Sequence, residues 1–309
     1  MKKTDVALCI DIGGTNLRYG LVSEKGNCIH FNKTAIEKQD KTESGVIHKI
    51  LVILSSLQKE CNAKIKGLGI AIPGFIDFEK EIVTSSPNFP EWKNFSVKKI
   101  LEEKICLPVV IENDANAFAI GESWKGVGKG FKNFIGITLG TGVGGGVILN
   151  GQIWHGIDGS AGEIGHITLY PDGLQCNCGN RGCLEMYASA QAVAREGIDL
   201  LKEKGLKATD RDIALEIFKL ANRGNREAIK IFNIIGYYLG VAISDIANIL
   251  NIDGVVIGGG LSNAWEFIYP AIQKEISYRT NPVSRKGLKI LKSKLGDSAA
   301  ILGMARVVF

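Results

Sequence analysis

The chain has 309 residues, 45% of them hydrophobic and 22% charged, with a formal net charge of +5. That length is enough for two domains sharing a cleft, and the composition excludes a disordered chain. The basic residues are scattered rather than gathered in a block, so neither a nucleic-acid nor a membrane-surface partner is expected.

Met1-Lys2-Lys3 could open a secretory leader, but Asp5 and Asp11 interrupt any apolar core of one, and no apolar run approaches a membrane span. The chain is expected to be cytoplasmic. Its cysteines agree with a reducing compartment, because Cys9, Cys28, Cys61 and Cys106 stand apart while the other three cluster.

Val6 to Ile10 is a short continuous apolar run, which suits a strand covered on both faces. Asp11 follows at its end, then Gly13, Gly14 and Thr15, and then a second strand over Leu17 to Val22. The loop between them can be a plain turn, since Asp and Gly supply turn conformations, or an anion cradle of exposed backbone N–H groups. Glu43 to Leu57 carries apolar residues at Val46, Ile47, Ile50, Leu51, Leu54 and Leu57, the stripe of an amphipathic helix. Gly67 to Ile72 reads as a buried strand running into Pro73-Gly74. Pro87, Asn88 and Pro90 punctuate an exposed loop of the kind that carries ligand contacts. Leu107 to Ile111 is a strand and Ala115 to Trp124 a helix, so Asn113 and Asp114 fall at their junction. Asp114 can be the helix N-cap. Yet Glu112, Asn113, Asp114 and Asn116 are more polar groups than a cap needs, and a free carboxylate there could act as a base.

Residues 133–155, NFIGITLGTGVGGGVILNGQIWH, repeat the opening layout of strand, glycine loop and strand. Gly140, Gly142 and Gly145 satisfy GxGxxG, but that fingerprint needs a helix to follow, whereas Val147 to Gly151 reads as a strand entering an Asn-Gly turn. Gly128-Lys129 fails as a Walker A loop because Gly130 replaces Ser or Thr. In CNCGNRGC, three thiols in a reducing compartment are better suited to a metal than to disulfides. Zinc fits with Cys176, Cys178, Cys183 and a histidine, His166 first and His155 next; an iron–sulfur cluster is the alternative. Glu163 and Glu185 flank that loop, either as solvated charges or as a pair held for a polyol. Helical stretches follow over 190–204, 210–222 and 225–251, then a strand over 253–257. It ends in Gly258-Gly259-Gly260, a tight turn or a place where a flat ring can approach the backbone.

In order along the chain, DIGGTNLR, ENDANA, LGTGVGGG, EIGH and CNCGNRGCLE resemble the ROK family of bacterial sugar kinases and sugar-responsive repressors. The resemblance implies an α/β protein with the two-lobed actin/hexokinase-like fold, each lobe built on a ribonuclease-H-like sheet beside a central cleft. One lobe would be residues 1–114 completed by a C-terminal helix near 297–309, and the other residues 115–296. ATP would be held by Asp11, Gly13, Gly14, Thr15, Asn16, Arg18, Gly140, Thr141 and Gly142, with Asp11 organising Mg²⁺ and Gly258, Gly259 and Gly260 near the adenosine. Asn88, Asn113, Asp114, Glu163, His166 and Glu185 would contact the sugar, with Asp114 as base, and His166, Cys176, Cys178 and Cys183 would bind structural Zn²⁺. The implied reaction is ATP-dependent phosphorylation of a hexose at O6, D-glucose first, with N-acetylmannosamine and N-acetylglucosamine as alternatives, by a homodimer. Repressors of the family carry a helix-turn-helix ahead of the first glycine loop, and only ten residues precede Asp11, so a kinase is expected.

Overall fold

The predicted opening hairpin is formed by Thr4–Ile12 (β1) and Asn16–Ser23 (β2), and Cys28–Ala35 (β3) extends it. The structure is a computed structural model, and it describes residues 4–206, 209 and 212–309. Glu43–Glu60 (α1) begins at Thr42, whose hydroxyl accepts the Gly45 N–H, and buries Val46, Ile47, Ile50, Ile53, Leu54 and Leu57. Ala63–Ile72 (β4) then returns parallel to β1.

Around the loop punctuated by Pro87, Asn88 and Pro90 stands a small sheet with no counterpart in the sequence reading, Phe75–Asp77 (β5), Ile82–Ser85 (β6) and Lys93–Phe95 (β7). The loop's Pro and Asn punctuation concealed two anchors: Phe89 and Trp92 are fully buried and stacked, ring centroids 4.2 Å apart. After Val97–Ile105 (α2), Val109–Asn113 (β8) joins β4 in parallel, completing the order β3-β2-β1-β4-β8. Asp114–Lys125 (α3) packs against the C-terminal helix, Ala299–Val308. Glycines permit that approach, since a Cβ on Gly303 would lie 1.8 Å from the Ala117 carbonyl oxygen and one on Gly121 would lie 2.0 Å from that of Ala299. These elements belong to one compact unit, comprising the chain up to Lys132 together with Gly146–Gly162 and Leu295–Phe309.

A second unit comprises Asn133–Gly145 and Glu163–Lys294. Phe134–Leu139 (β9) leads through a glycine loop to Val143–Leu149 (β10), whose residues from Gly146 onward, with the Asn150-Gly151 turn and Gln152–Ile153 (β11), are counted with the first unit. Both turn residues have positive φ, 53° and 79°, the conformation a two-residue hairpin of this hand requires. Glu185–Ala188 (α4), Ala190–Glu203 (α5), Ile213–Asn222 (α6) and Arg226–Leu250 (α7) follow. Residues 210 and 211 of the predicted 210–222 helix lie outside the described residues, as do Met1, Lys2 and Lys3. Gly254–Gly258 (β12), Trp265–Arg279 (α8), Pro282–Arg285 (α9) and Lys289–Lys292 (β13) complete the set. The second sheet has the order β11-β10-β9-β12-β13, the same succession of first, second, third, fourth and fifth strand as the first sheet.

Contrary to the reading that no run approaches a membrane span, α7 is long and apolar enough for one by length and composition. Its apolar character serves packing: Gly236 lets it approach α8 so closely that a Cβ would meet the Ile268 carbonyl oxygen at 2.2 Å.

Candidate active site and metal centre

Strand register gathers the first unit's polar residues. Asp11 on β1 lies beside Ala71 on β4, and Ala71 beside Glu112 on β8. The loops at Gly13–Thr15, Pro73-Gly74 and Asn113-Asp114 therefore leave one end of the sheet, the carboxyl ends of its parallel strands, where open α/β sheets bind ligands. In the first loop the Gly13 N–H donates to the Asn16 carbonyl at 2.9 Å. Asn88 lies against Gly14, where a Cβ would come within 3.1 Å of its amide carbon; Thr15 is exposed.

Asp11 is 8% exposed. Burial pushes its carboxyl above the usual range, and Arg18 draws it back. The Arg18 guanidinium donates through Nη1 to Asp11 Oδ2 at 3.1 Å and reaches Asp297 Oδ1 with Nη2 at 3.0 Å. Asp297 sits in the turn before the C-terminal helix, and nothing in the sequence pointed to it. Its 286-residue separation from Asp11 (297 − 11) is bridged only by the packing of that turn.

At the junction of β8 and α3 the N-cap is Asn113 rather than Asp114. Asn113 Oδ1 accepts the N–H groups of Ala115 at 2.9 Å and Asn116 at 3.1 Å, and its Nδ2 donates to the Gly74 carbonyl at 3.1 Å. Asp114 is the first helical residue, its Oδ1 accepting the Ala115 N–H at 2.9 Å. Capping therefore does not explain Asp114. His155, the second candidate metal ligand, lies 2.8 Å from buried Glu112 instead.

In the second unit, parallel β9 and β12 end side by side, Thr138 opposite Gly258. The Gly140–Gly142 loop and Gly258–Gly260 thus leave the same sheet end. Gly259 has φ 83°, and a Cβ there would lie 2.3 Å from the Leu139 carbonyl oxygen, while nothing lies within 4 Å of one on Gly260. Thr141 is exposed. The Gly140 carbonyl accepts the Ala190 N–H at 2.9 Å. Glu185 closes over the loop: its Oε2 accepts the Val143 N–H at 3.0 Å and occupies the space 2.1 Å from where a Gly142 Cβ would be.

His166, Cys176, Cys178 and Cys183 place one ligand atom each within 4.8 Å of one another. The knuckle is built by short backbone links, the Cys176 N–H to the Asn180 carbonyl at 2.8 Å and the Gly179 N–H to the Cys176 carbonyl at 3.1 Å. Gln175 Nε2 reaches the carbonyls of Cys176, Gly179 and Asn180. Two edges of the cluster, Cys178 Sγ to Cys183 Sγ and Cys176 Sγ to His166 Nδ1, are both 3.7 Å. Zn–S bonds near 2.3 Å in a tetrahedron give edges of about 3.8 Å, so the donor set fits zinc. The thiols by themselves are ill-matched: the Asn180 N–H holds Cys178 down, while burial raises Cys176 and pushes Cys183 up to about 12. Three adjacent thiolates need a cation. With Nδ1 facing sulfur, His166 turns Nε2 toward Glu163, 3.7 Å from its Oε2. Glu163 is raised by loss of hydration, lowered by His166 and raised again by Glu185.

The ROK family profile matches residues 7–309. A glucokinase of Halalkalibacterium halodurans is 38% identical, the match covering 95% of this chain and 92% of that protein. A xylose repressor of Bacillus subtilis is 36% identical over 78% of this chain and 60% of the repressor. Among solved structures, a ROK family glucokinase from Streptomyces griseus in complex with glucose and AMPPNP superposes with a TM-score of 0.84 at 31% identity, covering 98% of both chains. The α/β architecture, the repeated sheet order and these matches agree, and the chain belongs to the ROK family.

Proposed function

We propose that this chain transfers the γ-phosphoryl group of ATP to O6 of a hexose, D-glucose first, with N-acetylmannosamine and N-acetylglucosamine as the alternative acceptors. The observation that carries the reading is similarity to a glucokinase along nearly the full length of both chains. The placement of Asp114 supports it, because the cap role that would otherwise explain this carboxylate belongs to Asn113.

Asp114 accepts the O6 proton as O6 bonds to the γ-phosphorus and the bond from phosphorus to the departing ADP oxygen breaks. A carboxylate is far too weak to ionise a free alcohol beforehand, so the proton moves late. Asn113, Glu163, His166 and Glu185 orient the sugar hydroxyls, with Asn88 beside the first loop. The backbone donors of Gly13–Thr15 and Gly140–Gly142 hold phosphate oxygens, and Gly260, with open space above its backbone, accepts a flat ring. Mg²⁺ would supply charge neutralisation on the phosphates, with Asp11 facing it. Asp11 would be the residue to hold that cation, and Arg18 would still have a carboxylate partner in Asp297. His166, Cys176, Cys178 and Cys183 would hold Zn²⁺ in a closed set that leaves no place for an activated water. His166 Nε2, turned away from sulfur, is then fixed as a donor toward the sugar.

A coupled assay with ATP over glucose, mannose, fructose and both N-acetylhexosamines tests the reading. Turnover greatest on glucose is expected, and a large preference for an acetamido sugar would replace the acceptor. The repressor relative supplies the second reading. No turnover on any hexose, with sequence-specific operator binding in a gel shift, would establish it instead.

A further inference from the structure

Glu112 is a carboxylate only 3% exposed, and none of the roles above uses it. A buried carboxylate has to be paired and hydrogen-bonded. Its Oε1 accepts the Asn113 backbone N–H at 2.9 Å and Asn116 Nδ2 at 3.0 Å, while Oε2 lies 2.8 Å from His155 Nε2. His155 rests against the Phe78 ring, centroids 4.2 Å apart. It opens the segment 155–162, which is pressed onto the β5 end: a Cβ on Gly159 would lie 2.4 Å from the Ile76 carbonyl oxygen. Glu112 thus ties the end of β8 and the first turn of α3 to a separate, firmly seated segment.

We infer that the Glu112–His155 pair positions Asp114, a role that rests on Asp114 being the base. Both donors to Oε1 come from residues 113 and 116 and travel with the junction itself. Of the three donors, His155 alone connects the carboxylate to structure outside it. The Asn113 amide held by Glu112 precedes Asp114 by one peptide, so a shift of the carboxylate reaches the base directly. Without His155, Oε2 is left buried and short of its donor. The carboxylate must then turn toward another donor, and that turn loosens Oε1. Phosphoryl transfer tolerates little misplacement of its base.

The test compares His155→Ala and His155→Gln with the parent for kcat, KM and amide exchange over residues 109–118, each normalised to folded protein. His155→Ala is expected to lower kcat about tenfold with both KM values within about twofold, the size of effect a small displacement of a catalytic group produces. Exchange at Asn113 should accelerate. In His155→Gln the side-chain amide can still donate to Oε2, and most of kcat and of the protection should return. A kcat per folded molecule within twofold of the parent in His155→Ala would overturn the role, as would a Gln variant no better than Ala. If the parent phosphorylates no hexose, the functional reading falls separately. Unchanged exchange at Asn113 in His155→Ala would then still overturn the positioning role.

Discussion

The two glycine-loop hairpins repeat one layout in sequence and one place in sheet topology, yet each holds its carboxylate differently. In the first unit Asp11 is a strand residue whose counter-charge, Arg18, lies directly across the β1–β2 ladder. In the second, the carboxylate arrives from outside the hairpin: Glu185, 42 residues beyond Val143 in the chain, accepts that residue's N–H. A glycine loop exposes N–H groups that require an acceptor. Each loop satisfies one donor internally, the Gly13 N–H at the Asn16 carbonyl and the Gly140 N–H at the Gly142 carbonyl, but only the second also draws in an acid from outside its hairpin. Gly142 is therefore small for a side chain's sake, a point its motif did not convey.

The largest effect that sharpens this contrast is expected at Asp114. Asp114→Asn keeps the shape and loses the base, and kcat should fall by about 10²–10⁴, while circular dichroism and sugar binding by calorimetry remain close to the parent. Turnover near the parent's would mean the first unit's acid does no chemistry.

Next comes the second unit's cysteine loop. Cys178→Ser should lower zinc content by elemental analysis and raise KM for the sugar several-fold, leaving KM for ATP little changed, because the loop it loosens leads into Glu185. Unchanged sugar affinity at lost zinc would separate the cluster from the site.

The two loops themselves give a smaller and more diagnostic difference. At Gly142 an added Cβ meets only the far end of the Glu185 side chain, whereas at Gly259 it meets the Leu139 backbone at a φ of 83°. Gly142→Ala should fold normally and weaken sugar binding by moving Glu185. Gly259→Ala should lower the thermal midpoint, costing on the order of 1–3 kcal/mol. Equal losses of stability in both would show that Glu185 cannot yield.

The smallest expected effect is on pH-dependent stability. The hydrogen bond to Glu112, outweighing burial, raises the His155 pKa above its ordinary value. A raised folded value gives stability that is fully present below the unfolded pKa of about 6.5 and is lost as pH rises through the folded one. The gap in denaturation midpoint between the parent and His155→Gln should thus be widest near pH 6 and narrow toward pH 9. A gap constant with pH would show that His155 is not held as a cation.

Apolar runs, glycine loops and cysteine spacing were legible in the chain because they are local: strand and helix periods are set by neighbouring residues, and CNCGNRGC folds its knuckle from backbone bonds a few residues long. The family motifs and the repeated layout were legible for the same reason, and the second sheet repeats the first in strand order. The buried Phe89–Trp92 stack, the helix identity of α7 as a packing element, and the choice of Asn113 over Asp114 as cap were decided by what each segment packs against. So were the pairings that tune the site, Arg18 with Asp297, Glu185 with Val143 and Glu112 with His155. Such contacts join residues far apart in the chain, and a side chain's partner across that distance depends on strand register and burial, which no single stretch of sequence encodes.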